Sequence, residues 1–490
     1  MIAKFKSALV LVLVLSLISP CVSCGDNEDT SPITTTSQES ESETTSDEYS
    51  YPDVDFEGYE FKILNYSDMW GCYMDIDLDE QSGERLDDAV YNRNRMVEDK
   101  LGFEIAETKF AYPGWSEITQ IIDMYTNSIM ADDGIYDCAY IPVSFKPAII
   151  TEGYLYDMNS IPELHLDQPW WDKSINDAMT INGKLYTASS PLHLMSFDMS
   201  WVLLFNQDMM DDLKLEYPYQ LVRDGDWTLD KFYEYLTKAA SLNGDSSFTY
   251  SPDGSAVYGL AVHHDSIRGM IFASDNEMII KNNSGYNVNI ETERLYTTLD
   301  KLLPIYSTAD GISNGSSDGT QNNYYMTMFR NNRSLFVTCE LMSSLSIRDM
   351  EDTFGLLPFP KLDENQENYR TEVNSSSCLL TLPATLDNPS RAGIILEALT
   401  YESYANVLPA YYDITLSQKG LRNEESIEML NIVRDTRDID FALMFGLTTD
   451  LSNALKSMIT AGQNNAASII AEQSTVVQNN LDKLIETLNQ

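Results

Sequence analysis

The sequence predicts an α/β protein of two domains. Strand and helix patterns alternate through the first folded stretch, and 490 residues exceed what one hydrophobic core accommodates. The first strand is Tyr59–Leu64, where Tyr59, Phe61 and Ile63 alternate with polar residues before Asn65-Tyr66-Ser67-Asp68 breaks the run. From Leu86 to Leu101, Ala89, Val90, Arg93, Met96, Val97 and Leu101 recur at helical spacing, and Gly102 stands where a helix stops. A strand restarts at Phe103–Ile105, a helix pattern covers Glu117–Met130, and Tyr136–Tyr140 reads as a strand ending before Pro142. Strand, helix, strand, helix, strand implies a parallel sheet covered by helices. Further on, Thr228 caps a helix that carries Phe232, Leu236, Ala239 and Ala240 on one face. Asn388 caps another, with Pro389 in its first turn and a body running through Ala392 to Tyr401. The chain from Leu451 is helical, with an interruption near Gly462–Asn465. No internal repeat of fixed period and no coiled-coil heptad is present.

Charge narrows the function. Lys and Arg total 31 against 76 Asp and Glu, a formal net charge of -45, so the surface repels phosphate polymers and nucleic acid is excluded as a partner. Four histidines, at 165, 193, 263 and 264, are little material for a multi-histidine metal site, which argues against a zinc enzyme. Aromatic residues make up 11%, enough to fill cores and still place rings on the surface.

The N-terminus predicts export. Lys4 and Lys6 precede an apolar run, Ala8–Ile18, that fits a signal peptide and is too short to span a bilayer. Pro20-Cys21-Val22-Ser23-Cys24-Gly25 resembles a bacterial lipobox, with Cys24 the residue that would receive lipid and 1–24 the lipoprotein signal peptide. Residues 25–51, rich in Ser, Thr and acids and without Lys or Arg, read as a disordered tether holding a body off an anionic membrane. The remaining cysteines, Cys72, Cys138, Cys339 and Cys378, are too widely spaced for a metal or redox motif. They allow three complete pairings or four buried thiols.

Several blocks, in order, carry a resemblance. They include Leu86-Asp-Asp-Ala-Val-Tyr-Asn-Arg-Asn-Arg95, Glu152-Gly-Tyr-Leu-Tyr-Asp-Met-Asn159, Leu166-Asp-Gln-Pro-Trp-Trp-Asp172, Asp226-Trp-Thr-Leu-Asp230, Pro358-Phe-Pro-Lys361 and Leu408-Pro-Ala-Tyr-Tyr-Asp413. Over roughly Phe56 to Gly446 the chain resembles extracellular solute-binding lipoproteins of ABC importers, in the carbohydrate-type branch found in Gram-positive gut-type bacteria. The resemblance implies a two-lobed periplasmic-binding-protein-like fold with a hinge and an interlobe cleft, no cofactor and no catalysis. It implies a monomer that binds a sugar and hands it to an ABC permease at the outer face of the cell membrane. Lobe one is expected over 52–193 and 355–411, and lobe two over 194–354 with its C-terminal helices at 412–490.

A sugar has apolar C–H faces and a hydroxyl rim, so its site needs aromatic platforms beside carboxylates and amides. Tyr66, Asp68 and Trp70 follow the first strand, where open α/β sheets place ligands, and Tyr140 stands at an equivalent strand end. Ser189, Ser190 and His193 lie in the expected first crossing. Glu340 ends an apolar strand at the point where the resemblance places lobe-two contacts. Asn374, Ser375 and Ser376 occupy a loop before Cys378, and Tyr411, Tyr412 and Asp413 adjoin the expected last crossing. Trp170 and Trp171 read as a structural corner and Trp201 as core.

Of two calcium-like loops, Asp75-Ile-Asp77-Leu-Asp79-Glu80 fails, since Glu80 stands where an EF-hand needs Gly and Leu86 where it needs Glu, while Asn243-Gly-Asp245-Ser-Ser247 resembles a decayed version of an Asn-Gly-Asp-Gly insert of those relatives and leaves calcium there as an open alternative. No metal is expected. Other classes remain in view: an exported glycoside-active enzyme, which needs two carboxylates facing each other across a cleft, and a polysaccharide-binding surface adhesin without transport. No Gly-x-Ser-x-Gly, His-Glu-x-x-His or P-loop motif supports an enzyme.

Overall fold

The computed structural model describes residues 49–251, 253–282, 285–315, 324–416, 421 and 423–488. The expected signal peptide, Cys24 and most of the expected tether fall outside these residues. Tyr49 and Tyr51, at the tether's end, are docked: Tyr49 packs edge-on against Trp170, and the Tyr51 hydroxyl donates to Glu402 Oε1 at 2.7 Å.

The strands are β1 (Tyr59–Asp68), β2 (Phe103–Ala111), β3 (Cys138–Ile141), β4 (Trp201–Asn206), β5 (Tyr258–Ala261) and β6 (Ile279–Asn282). They continue with β7 (Gly285–Val288), β8 (Ser334–Glu340), β9 (Phe354–Leu357), β10 (Thr371–Glu372), β11 (Leu379–Thr381) and β12 (Arg437–Asp438). One sheet has the order β11-β3-β1-β2, with β1 parallel to both β2 and β3, as the alternating pattern predicts, and β11 antiparallel to β3. A second has the order β5-β8-β4-β9, with β5 and β8 parallel. Each sheet is the centre of one lobe. Every residue of β4 is buried, so its continuous apolar run reflects helices and loops on both faces.

Local signals shape several elements. The helix Arg85–Leu101 ends at Gly102, whose φ of 66° is left-handed. A Cβ there would meet the Asp55 carboxylate, whose side chain can swing aside, so it is the left-handed backbone that demands glycine. Thr228 accepts from the Lys231 amide, and Asn388 from the Arg391 amide at the start of Pro389–Glu402. The C-terminal helices are Thr449–Thr460 and Ala466–Leu488, interrupted where the sequence predicts.

β1 departs from expectation by running on to Asp68. Asn65 is wholly buried, and its amide donates to the Met74 carbonyl at 2.6 Å and Glu107 Oε1 at 2.9 Å. The neighbouring strand satisfies a residue that in isolation reads as a breaker.

Passages of the chain lie side by side between the lobes. The first runs through the helical turn Met195–Asp198 to Ser200, which bridges Val373 in the second. The chain stays with the second sheet through β9, and Lys361 still bonds the backbone around Trp227 and Leu229. It returns to the first sheet only between Val373 and Cys378. β10 pairs with β12, adding a C-terminal segment to this junction. Arg437 is buried there, paired with Asp172 at 2.9 Å, bonded to Ser196 and Ser200, and 3.8 Å above the Phe197 ring.

Candidate functional site

A cleft of about 1190 Å³ lies between the two sheets. Its first wall comes from the segments that follow the carboxyl ends of β1, β2 and β3, the edge where parallel sheets place ligands. Those segments supply Trp70, then Tyr112 and Trp115, then Ser144 and Phe145. The rings form a connected surface: Trp70 lies 6.1 Å from Trp115 and 5.8 Å from Tyr112, and Trp115 meets Phe145 edge-on at 5.2 Å. Trp115 is 65% exposed, a large apolar area left open to an occupant. Trp70 has a φ of 54°, a conformation that costs a bulky residue about 1–3 kcal/mol and is typical of functional sites. Its indole N–H donates to the Tyr112 hydroxyl at 3.3 Å.

The second wall is polar and follows the carboxyl ends of the parallel pair β5 and β8. β5 is followed by His263, His264, Asp265 and Arg268, while β8 ends on Glu340 and is followed by Met342 and Ser343. Asn453 and Lys456 of the helix Thr449–Thr460 complete this wall. Asn374, Ser375 and Ser376 enter from the second crossing. The Asn374 amide donates to Glu340 Oε1 at 3.3 Å, and His263 Nε2 lies 3.8 Å from the same oxygen.

His263 is tightly placed. Its ring stacks on His264 at 4.6 Å and meets Trp201 and Tyr325 edge-on, and its Nδ1 accepts from the Asp265 amide at 3.2 Å. That bond leaves the proton of the neutral ring on Nε2, facing Glu340. Burial lowers its pKa, favouring the neutral form against the pull of Glu340. Asp265 receives His264 Nε2 at 3.0 Å, Arg268 at 3.2 Å and Lys456 Nζ at 2.8 Å. Burial pushes its carboxyl upward, but the His264 hydrogen bond and the charges of Arg268, His264 and Lys456 outweigh burial and hold it well below the usual range.

His263, His264 and Asp265 offer ligand atoms within 4.8 Å of one another, so a metal has to be considered. The donors do not fit one. Two fixed cations already bear on the Asp265 carboxylate, and the His263 lone pair is spent on a backbone amide, leaving a protonated nitrogen toward the cleft. In the calcium-like loops, Asp245 accepts the Ser255 and Ala256 amides, while Asp75 binds Lys109 and Asp77 accepts from Asn94.

Of the fourteen ligand candidates, the structure brings Trp70, Glu340, Asn374, Ser375 and Ser376 to the cleft, while Ser189 is buried and bonds Ser196. Tyr66 points into lobe one, wholly buried, and donates to the Ile118 carbonyl at 2.7 Å, because β1 continues and turns its side chain inward. Asp68 is exposed at the strand's end and bonds Ser67. Tyr140 and His193 stack at 4.5 Å inside the lobe, and Ser190 is buried against Thr400. Tyr411 is buried and donates to Asp198 Oδ1, Tyr412 packs against Phe197, and exposed Asp413 pairs with Arg85. Trp170 and Trp171 donate their indole N–H groups to the buried Glu397 carboxylate at 2.9 and 2.8 Å, a structural corner. The four described cysteines are buried and free.

Tyr112, Trp115, Phe145, His263, His264, Asp265, Arg268 and Lys456 were not singled out from the sequence. A signal existed for most of them. The strand-end rule that points to Trp70 applies equally to the segments after Ala111, Ile141 and Ala261.

No family model matches this chain, and no curated protein matches it. Solved structures do match. A cyclo/maltodextrin-binding protein complexed with maltotetraose aligns with a TM-score of 0.58 at 13% identity, covering 86% of this chain and 96% of its own. The galacto-N-biose/lacto-N-biose I-binding protein of an ABC transporter from Bifidobacterium longum gives 0.58 at 12% identity, covering 88% and 98%. An ABC substrate-binding protein from Listeria monocytogenes in complex with cycloalternan gives 0.51 at 12%, covering 88% and 99%. At such identities the likeness establishes the fold. The chain has the two-lobed periplasmic-binding-protein-like architecture, with its cleft between the lobes.

Proposed function

We propose that this chain is a lipid-anchored solute receptor that captures a carbohydrate in its interlobe cleft and delivers it to an ABC importer. The observation that carries the reading is the pairing of unlike walls. One lobe offers Trp70, Tyr112, Trp115 and Phe145 as apolar platforms, and the other offers Glu340, with Asn374 from the crossing, to read hydroxyls. All three matched proteins of the same fold bind sugars, and two of them are ABC-transporter proteins, which supports solute and partner alike. Anchoring rests on Cys24 and an extracytoplasmic location on the export signal; among the described residues no helix is long and apolar enough to cross a membrane. The receptor acts as a monomer, without cofactor or catalysis.

A glycoside-cleaving role finds less support. Asp265, held ionised by its three partners, is unsuited to donate the proton that bond cleavage needs. The test is a thermal-shift screen with mono- and oligosaccharides, followed by solution scattering with the sugar that binds. A ligand at one hundred times its dissociation constant adds about 2.7 kcal/mol to the folded state, and lobe closure should shrink the radius of gyration. Turnover of the bound sugar would overturn the receptor reading, and an unchanged radius would favour a rigid adhesin.

A further inference from the structure

We propose that Asp265 is a specificity-determining residue: by pairing with Arg268 and Lys456, the fixed cations among the described cleft residues, and with His264, it disfavours an acidic ligand and reserves the site for uncharged oligosaccharides. The proposal rests on the carbohydrate reading and deepens it by naming the charge class of the solute.

Among the described residues lining the cleft, the fixed cations are Arg268 and Lys456, and the carboxylates are Asp265 and Glu340. Both cations are committed. Lys456 Nζ lies 2.8 Å from Asp265 Oδ1, and Arg268 places one nitrogen 3.2 Å from that oxygen and another 2.5 Å from Asn453 Oδ1. The Nε of Arg268 is buried without a hydrogen-bond partner among the described residues, out of a ligand's reach. His264 Nε2 takes the other oxygen of Asp265 at 3.0 Å. A uronate or other sugar acid entering the cleft therefore has to share a cation already paired with Asp265, and Glu340 opposes it from the same wall. The chain's formal charge of -45 adds long-range repulsion. A neutral sugar bears none of these costs, since its hydroxyls need only dipoles and its ring faces only the aromatic wall.

The test uses calorimetry on the full chain with maltotetraose, lacto-N-biose and the cello-, xylo- and manno-oligosaccharides. Each neutral sugar that binds is then compared with the same sugar oxidised to a carboxylate at either end. For the wild type, the oxidised forms should bind at least about tenfold more weakly. That ratio should shrink as salt is added, because the penalty is charge repulsion. In Asp265→Asn, which keeps the shape and removes the carboxylate from Arg268 and Lys456, the ratio of neutral to oxidised affinity should narrow by at least about tenfold, whatever the neutral affinity itself does. Equal binding of neutral and oxidised forms by the wild type overturns the proposal, as does an unchanged ratio in a cooperatively melting Asp265→Asn. If that variant fails to fold, the wild-type ratio and its salt dependence decide the matter. Failure of every sugar, neutral or acidic, instead overturns the carbohydrate reading itself, an outcome distinct from the others.

Discussion

Asp198 gives the sharpest test of how the lobes are joined. It ends the helical turn of the first crossing, is fully buried, and accepts the Tyr73 amide at 2.7 Å and the Tyr411 hydroxyl at 2.8 Å. Burial raises its pKa from 3.8 to about 7, and the two hydrogen bonds offset only part of that. The folded chain thus keeps a proton on Asp198 up to about pH 7, while the unfolded chain releases it near 3.8. Between those values the folded state binds more protons, so stability is fully present at low pH and falls as pH rises. About three pKa units at 1.36 kcal/mol each set a ceiling of about 4 kcal/mol lost by pH 8. Asp198→Asn removes the titration and keeps both contacts. Its carbonyl accepts from the Tyr73 amide, and its NH2 donates to the Tyr411 oxygen, since a hydroxyl serves in either sense. Urea unfolding of both proteins at about pH 5 and about pH 8 should show the variant gaining up to about 3 kcal/mol on the wild type between the two. A stability difference that does not change with pH would refute the reasoning, whatever its size.

Three further outcomes follow from the site, the Trp171 corner and the N-terminus. Trp70→Ala and Glu340→Ala should each weaken the bound sugar by at least about tenfold, or roughly 1.4 kcal/mol, with little change in melting of the empty protein; Trp171→Ala, which empties the corner around Glu397, should cost about 3 kcal/mol or more of stability and spare affinity, as calorimetry can show. Cys24→Ala should leave the body folded and move it from the membrane fraction to the medium, and membrane retention would contradict lipid anchoring.

Local chemistry was the legible part of the fold. Gly102 ends its helix, Thr228 and Asn388 cap theirs, and Pro389 stands in the first turn, each through contacts spanning a few residues. Asn65 reads as a breaker because its partners, Met74 and Glu107, are invisible from its neighbours. Extending that strand turned Tyr66 into the core and left Trp70, beyond the strand's end, at the cleft. Tyr140 and His193 stand at promising positions in the sequence, yet they stack on each other, a pairing across 53 residues that no spacing announces. The charged cluster was hidden for a similar reason. Lys456 is one cation on a C-terminal helix, and only the fold places it on Asp265, 191 residues earlier.

The junction between the lobes limits how they can move. Ser200 bridges Val373, β10 pairs with β12, and Arg437 ties Asp172 of one lobe to Ser196 and Ser200 of the crossing. Strands laced together in this way resist sliding and separation far more than twisting about their shared line. Any displacement of one lobe on the other therefore reduces to one angle, like a book opening on its spine. The gap between the aromatic and polar walls becomes a single variable, set by the thickness of what lies between them. A thin, flat occupant and a bulky branched one would leave the same molecule at two different settings.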